Sequence, residues 1–189
     1  MSKNFTYIRK NRNNMSYTDE QKELISKYIL KNSLTIYKHI EIEINRPSQE
    51  KNIIQLLEDN EIKVIEIDEP QNNFDGLAAI VNDKYPVIVV NKNFIVERKR
   101  FTLLHELGHL LLDLPECDMK FEEQICNRFA SEFLFPKSMV LKEFGEGRGS
   151  ISFKELIEVQ RKYGISIKAI IYRLKDCGIL SENRVAEFY

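Results

Sequence analysis

Phe101-Thr-Leu-Leu-His105-Glu106-Leu-Gly-His109-Leu-Leu-Leu112 is the stretch on which the reading of this 189-residue chain turns. Apolar residues occupy nearly every side of it, as in a helix buried in a core. Two histidines four apart lie one turn apart on one face of such a helix, about 6 Å along its axis. A buried His, Glu and His need polar partners, and one cation between the imidazoles supplies them. This spacing lets two ring nitrogens reach one zinc ion, while Glu106 can reach a water at that ion without ligating it. Bound zinc lowers the pKa of such a water toward roughly 7, which suits Glu106 as the base of a hydrolytic reaction. Gly108 costs about 1 kcal/mol against alanine inside a helix, so close approach of a neighbouring helix is its expected reason.

A catalytic zinc needs a third protein ligand and an open position. Downstream candidates are Asp113, Glu116, Cys117, Asp118, Glu122, Glu123 and Cys126. The chain should turn around Pro115 and return as a second helix from about Phe121 to Phe135, stopped by Pro136. In an antiparallel pair joined there, the 1.5 Å rise per residue brings Glu123 level with the histidines. Glu122 would be turned by roughly 100° on the same helix, where an acid also suits the N-terminal turn. Glu123, Asn127, Ala130 and Leu134 share a face, so Asn127 could hydrogen-bond a ligand histidine and fix its tautomer. Cys126 could ligate as a thiolate, although two His and one Glu suit the spacing better than two His and one Cys.

Upstream of this pair the pattern changes from period 3.6 to period 2. Ser48 reads as a helix cap, with Ile53, Ile54, Leu56 and Leu57 facing inward. Ile62–Ile67, Leu77–Val81 and Pro86–Asn91 read as strands, the last two joined by a turn at Asn82-Asp83 into a hairpin. An earlier helix is expected from Thr18, and Thr35–Ile44 fits either helix or strand. Beyond a loop at Gly145–Gly149, helices are expected near Phe153–Tyr163 and Ile167–Asp176, with Gly164 and Gly178 closing them. The pattern is that of an α+β domain followed by a helical module.

Composition excludes several classes. Charged residues make up 30% and the net charge is −1, so a primary role on nucleic acid is not expected. No apolar run is long enough for a membrane helix, and the N-terminus lacks a signal-peptide core. Cys117, Cys126 and Cys177 are an odd, sparse set that fits a reducing cytoplasm. Residues 1–17 carry Lys3, Arg9, Lys10 and Arg12 without an acid and read as a basic tail. The expected organisation is this tail, a domain over residues 18–140, and a C-terminal helical module over 150–189.

Asp75-Gly76, Pro86-Val-Ile-Val-Val-Asn91, Arg100–His109, Glu123-Gln-Ile-Cys-Asn-Arg-Phe-Ala130 and Phe133-Leu-Phe-Pro136 together resemble the ImmA/IrrE family of metallopeptidases. Tyr163-Gly-Ile-Ser166 and Tyr172-Arg-Leu174 are similar to that family's closing helical module. The resemblance covers roughly residues 48–180. It implies a zincin-like domain of the gluzincin type, with a small twisted sheet packed on the His-Glu-x-x-His helix and a helix-turn-helix-like C-terminal module. It implies one Zn²⁺ on His105, His109 and Glu123, Glu106 as base, and a helix-turn-helix repressor as the protein substrate. Cys126 departs from the alanine usual there. Tyr163, Tyr172, Arg173 and His39 are candidates by chemistry alone for stabilising an oxyanion. The alternative is a regulator or toxin–antitoxin component that binds DNA or a repressor through its C-terminal helices, where Lys168, Arg173 and Lys175 form a modest basic set.

Overall fold

The computed structural model describes residues 5–6, 49–70, 73–82, 84–112, 119–148 and 150–188, with side chains described from residue 53 onward. The expected helix at Thr18, the ambiguous stretch at 35–44, the Ser48 cap and most of the basic tail lie outside the described residues. The architecture is mixed α+β. In chain order the elements are β1 (Phe5–Thr6), α1 (Gln49–Asp59), β2 (Lys63–Ile67), β3 (Gly76–Val81) and β4 (Tyr85–Asn91). The helices α2 (Val96–Leu111), α3 (Met119–Leu134), α4 (Lys137–Phe144), α5 (Phe153–Tyr163), α6 (Ile167–Asp176) and α7 (Glu182–Ala186) follow. The chain divides into two compact units, residues 1–130 and 131–189.

The first unit is a sheet of order β1-β3-β4-β2 with helices against it. β3 and β4 form the expected antiparallel hairpin, with Gly76 opposite Val90 and Val81 opposite Tyr85. Asn82 takes a left-handed φ of 54° in the turn, a conformation asparagine tolerates better than most residues. β2 pairs parallel with β4 from Val87 to Asn91. Pro86, which has no N–H to donate, therefore precedes the parallel ladder rather than interrupting it. Ile88 and Val90 are fully buried at the centre, and α2 packs on β3 and β4. At the outer edge, β1 pairs only with Ile80 and Val81. Gly76–Ala79 thus face no further strand among the described residues.

One buried amide holds the approach to β3. Asn91, at the end of β4, donates through Nδ2 to the carbonyls of Glu69 (2.9 Å) and Phe74 (3.0 Å). Its Oδ1 accepts from the Asn93 N–H, and its own N–H donates to the Asp75 carbonyl. Asn91 thereby pins the segment that delivers Asp75-Gly76 to the start of β3.

The second unit has Phe133, Phe135, Val140, Leu156, Ile170 and Leu174 in its core. α5 opens with a capping box in which Ser152 and Glu155 exchange hydrogen bonds, and Gly164 ends it at φ 58°. Ser166 then caps α6. Pro136 reads as a stop in the sequence, yet it also serves as N-cap of α4. Proline cannot continue a helix but has a φ suited to starting one, and a stop-only reading misses α4. Arg173 is buried in an ion pair with Glu132, and its Nε donates to the Phe135 carbonyl at 2.9 Å. Lys175 pairs with Glu182 at 2.6 Å. The basic set expected on α6 therefore reduces to the exposed Lys168. No described helix is long and apolar enough to cross a membrane.

Candidate metal centre

α2 carries His105, Glu106 and His109, and α3 returns Glu122, Glu123, Cys126 and Asn127 to the same level. The helices approach closely at Gly108. A Cβ there would lie 3.3 Å from the Cα, Cβ and Sγ of Cys126. This is the close approach for which the helix accepts a glycine.

The two imidazoles meet edge to face, with Nε2 atoms 3.1 Å apart. Glu123 reaches both, its Oε2 3.1 Å from His105 Nε2 and its Oε1 3.5 Å from His109 Nε2. The far side of each ring fixes its tautomer. His105 Nδ1 lies 3.0 Å from Asn127 Oδ1, and His109 Nδ1 lies 3.3 Å from Glu122 Oε1. An amide oxygen and a carboxylate can only accept, so each Nδ1 donates, and each ring when neutral turns an Nε2 lone pair inward. Two nitrogen lone pairs and a carboxylate then converge within 4.8 Å of one another. Such a set repels itself unless a positive charge sits among it, and its chemistry fits a divalent ion such as zinc. A proton expresses the same demand. Burial alone would lower the His109 pKa, but hydrogen bonds with Cys126 and Glu123 and the nearby Glu106 charge push it up to about 11. Hydrogen bonds from the same two histidines hold the Glu123 carboxyl well below the usual range.

Glu106 is buried beside this cluster, and burial pushes its carboxyl up, against the pull of both histidines and a hydrogen bond from the Ala78 backbone. Gly76 makes its position possible. A Cβ on Gly76 would lie 2.6 Å from Thr102 Cγ2 and 2.8 Å from Glu106 Oε1. Only a glycine lets the start of β3 pass over the carboxylate. A cavity of about 400 Å³ opens here, lined by Gly76–Ala78 on one side and by His105, Glu106, His109 and Glu123 on the other.

The structure brings His105, Glu106, His109, Glu123 and Asn127 together. Glu122 corrects the sequence reading. The 100° turn does not remove it from the site but places it behind His109, as the acceptor that orients that ring. Two adjacent acids facing a His-x-x-x-His pair were the available signal, because one can ligate while the other buttresses. Burial keeps the Cys126 thiol neutral and it packs against Gly108, so it is not presented as a thiolate. Asp113, Glu116, Cys117, Asp118 and His39 lie outside the described residues. Tyr163, a candidate for an oxyanion, instead donates its hydroxyl to Glu143 at 2.6 Å.

No curated protein sequence matches the chain. Among solved structures it is similar to a Mycobacterium tuberculosis transcriptional regulator, at 12% identity and a TM-score of 0.53. That match covers 81% of this chain, which spans about half (51%) of the regulator's length. At that identity the likeness speaks for the fold alone. The sequence profile of the IrrE N-terminal-like domain, a peptidase family, matches residues 57–175 and so takes in both helices of the centre. The chain belongs to the family of IrrE N-terminal-like domain peptidases.

Proposed function

We propose that this protein is a zinc-dependent endopeptidase in which His105, His109 and Glu123 hold the ion and Glu106 is the general base. The observation that carries the reading is the convergence of three donor groups beside a buried carboxylate, within a cavity bordered by the first residues of β3. When bound, the ion would supply Lewis acidity toward a peptide carbonyl and acidify a water. The chain's own residues do the rest. Asn127 and Glu122 hold the rings so that both Nε2 atoms face inward. Beyond β1, the edge of β3 at Gly76–Ala79 meets no further strand among the described residues, and an extended peptide can lie antiparallel along it. Glu106, with its raised pKa, takes a proton from water and returns it to the leaving amine.

The family resemblance supports a helix-turn-helix repressor as the protein substrate, cleaved to relieve repression in a mobile-element, prophage, stress or defence setting. Glu106→Gln should retain zinc while peptide cleavage falls by about a thousandfold or more, because the proton acceptor is gone and the ligands remain. Zinc content and product formation, measured side by side, check this. Cleavage persisting in the zinc-loaded variant overturns the mechanism. The regulator reading has less support, since Arg173 is buried and Lys175 is paired. Salt-dependent DNA binding without zinc would favour it instead.

A further inference from the structure

We infer that Arg98 is a specificity-determining residue that holds a substrate carboxylate about three residues from the scissile bond. This rests on the peptidase reading above and deepens it. Arg98 lies seven residues before His105 on α2, hence on the same face and about 10 Å along the axis. It lines the same cavity as the donor cluster. The other charged side chains there are the acids Asp75, Glu106, Glu122 and Glu123 and the two histidines. Once the histidines serve the ion, Arg98 is the lining cation that remains among the described residues.

Its guanidinium is held ready from two sides. Its Cζ lies over the Phe94 ring, 3.8 Å from the ring centroid, and Phe94 is itself buried. One Nη2 hydrogen bond reaches Asp75 Oδ1 at 2.9 Å. That bond uses one of five donors, and the Arg98 side chain stays 43% exposed. A stacked, singly bonded guanidinium offers its remaining N–H groups to an incoming carboxylate in fork geometry. Between Arg98 and His105 the cavity wall is Phe101 and Thr102, which suits uncharged residues nearer the cut.

The topology gives the direction. Asp75 meets Arg98, while Gly76 and Ala78 meet Glu106, so β3 and α2 run in the same sense here. A peptide antiparallel to β3 therefore sends its carboxyl side toward Arg98. At about 3.3 Å per extended residue, 10 Å is about three residues. The occupant is a peptide with Asp or Glu near that position on the carboxyl side of the cut.

The test uses ten-residue peptide pools, each with Asp, Gln or Lys fixed at one position and the others randomised. They are incubated with the zinc-loaded 189-residue protein, and products are sequenced by mass spectrometry against a Glu106→Gln blank. Asp pools should be cut about tenfold faster than Lys pools when the fixed residue falls about three places past the cut. Arg98→Glu should reverse that order, so that Lys pools are cut faster than Asp pools. In parallel, fluorescence anisotropy of labelled Asp and Lys pools on the metal-free Glu106→Gln protein should show the same preference, abolished by Arg98→Glu. Cleavage with no acidic preference, or a preference that Arg98→Glu leaves intact, overturns the role of Arg98 and leaves the peptidase reading standing. No cleavage beyond the blank in any pool overturns both.

Discussion

Gly76 is a small residue with a large consequence, because its missing Cβ is the space that Thr102 and the Glu106 carboxylate occupy. Gly76→Ala would place a methyl group at 2.6 Å from Thr102 Cγ2, inside any tolerable contact, so either β3 or Glu106 must move. Overpacking of this kind costs about 1–3 kcal/mol. The atoms nearest to a Cβ on Gly76 belong to Thr102 and Glu106 and not to His105, His109 or Glu123. We therefore expect Gly76→Ala to keep its zinc and lose at least about tenfold in kcat, since a small misplacement of a base is costly. Metal analysis and steady-state kinetics on the same sample check it. A variant with wild-type kcat removes Gly76 from the account of Glu106. This contact joins residues thirty positions apart, and no period in the sequence encodes it. Asp75-Gly76 reads there as a turn signal and nothing more. Glu122 is a similar case, because its partner His109 is fixed only once α2 and α3 stand side by side. His105 and His109 are different. Their spacing alone places them on one helical face, so that part of the candidate centre is legible before any fold is known.

α2 and α3 owe their pairing to Gly108 as much as to apolar burial. Replacing Gly108 by alanine would gain up to about 1 kcal/mol of helix propensity. Against this, the new Cβ meets the Cα of Cys126 at 3.3 Å, and a backbone atom in the middle of a packed helix yields little. The crowding should win, leaving Gly108→Ala less stable by about 1 kcal/mol and weaker in zinc affinity, because the donors sit on the two helices being separated. Denaturant melts of the metal-free protein and a competitive zinc titration measure the two effects. Higher stability with unchanged affinity would mean that the helices have room to spare. The helices themselves were legible because their apolar periodicity is local. The parallel pairing of β2 with β4 was not. β2 is separated from β4 by the β3 hairpin strand, and alternation within a strand does not name its neighbour. α4 was hidden for another reason, since Pro136 both ends one helix and begins the next.

For the protein as a whole, the donor cluster links folding, protons and metal. In the metal-free state the His109 pKa of about 11 stands above its unfolded value of 6.5. Its contribution to stability is therefore fully present below pH 6.5 and is lost progressively as pH rises toward 11. Glu123 has the opposite sign. Its carboxyl is held below the unfolded value of 4.5, so its contribution is present above pH 4.5 and lost as pH falls through the folded pKa. Zinc must displace the His109 proton, so between pH 6.5 and 9 its affinity should rise on the order of tenfold per pH unit, with about one proton released per ion. The two trends act together: raising pH weakens the metal-free fold and strengthens metal binding. The rise in Tm on adding saturating zinc should thus be larger at pH 9 than at pH 6, and absent at both in Glu123→Ala. Calorimetry in buffers of different ionisation enthalpy counts the released proton, and thermal melts at the two pH values give the shift. A zinc-induced shift that shrinks with pH, or zinc uptake without proton release, would mean that the cation is bound somewhere other than between His105, His109 and Glu123.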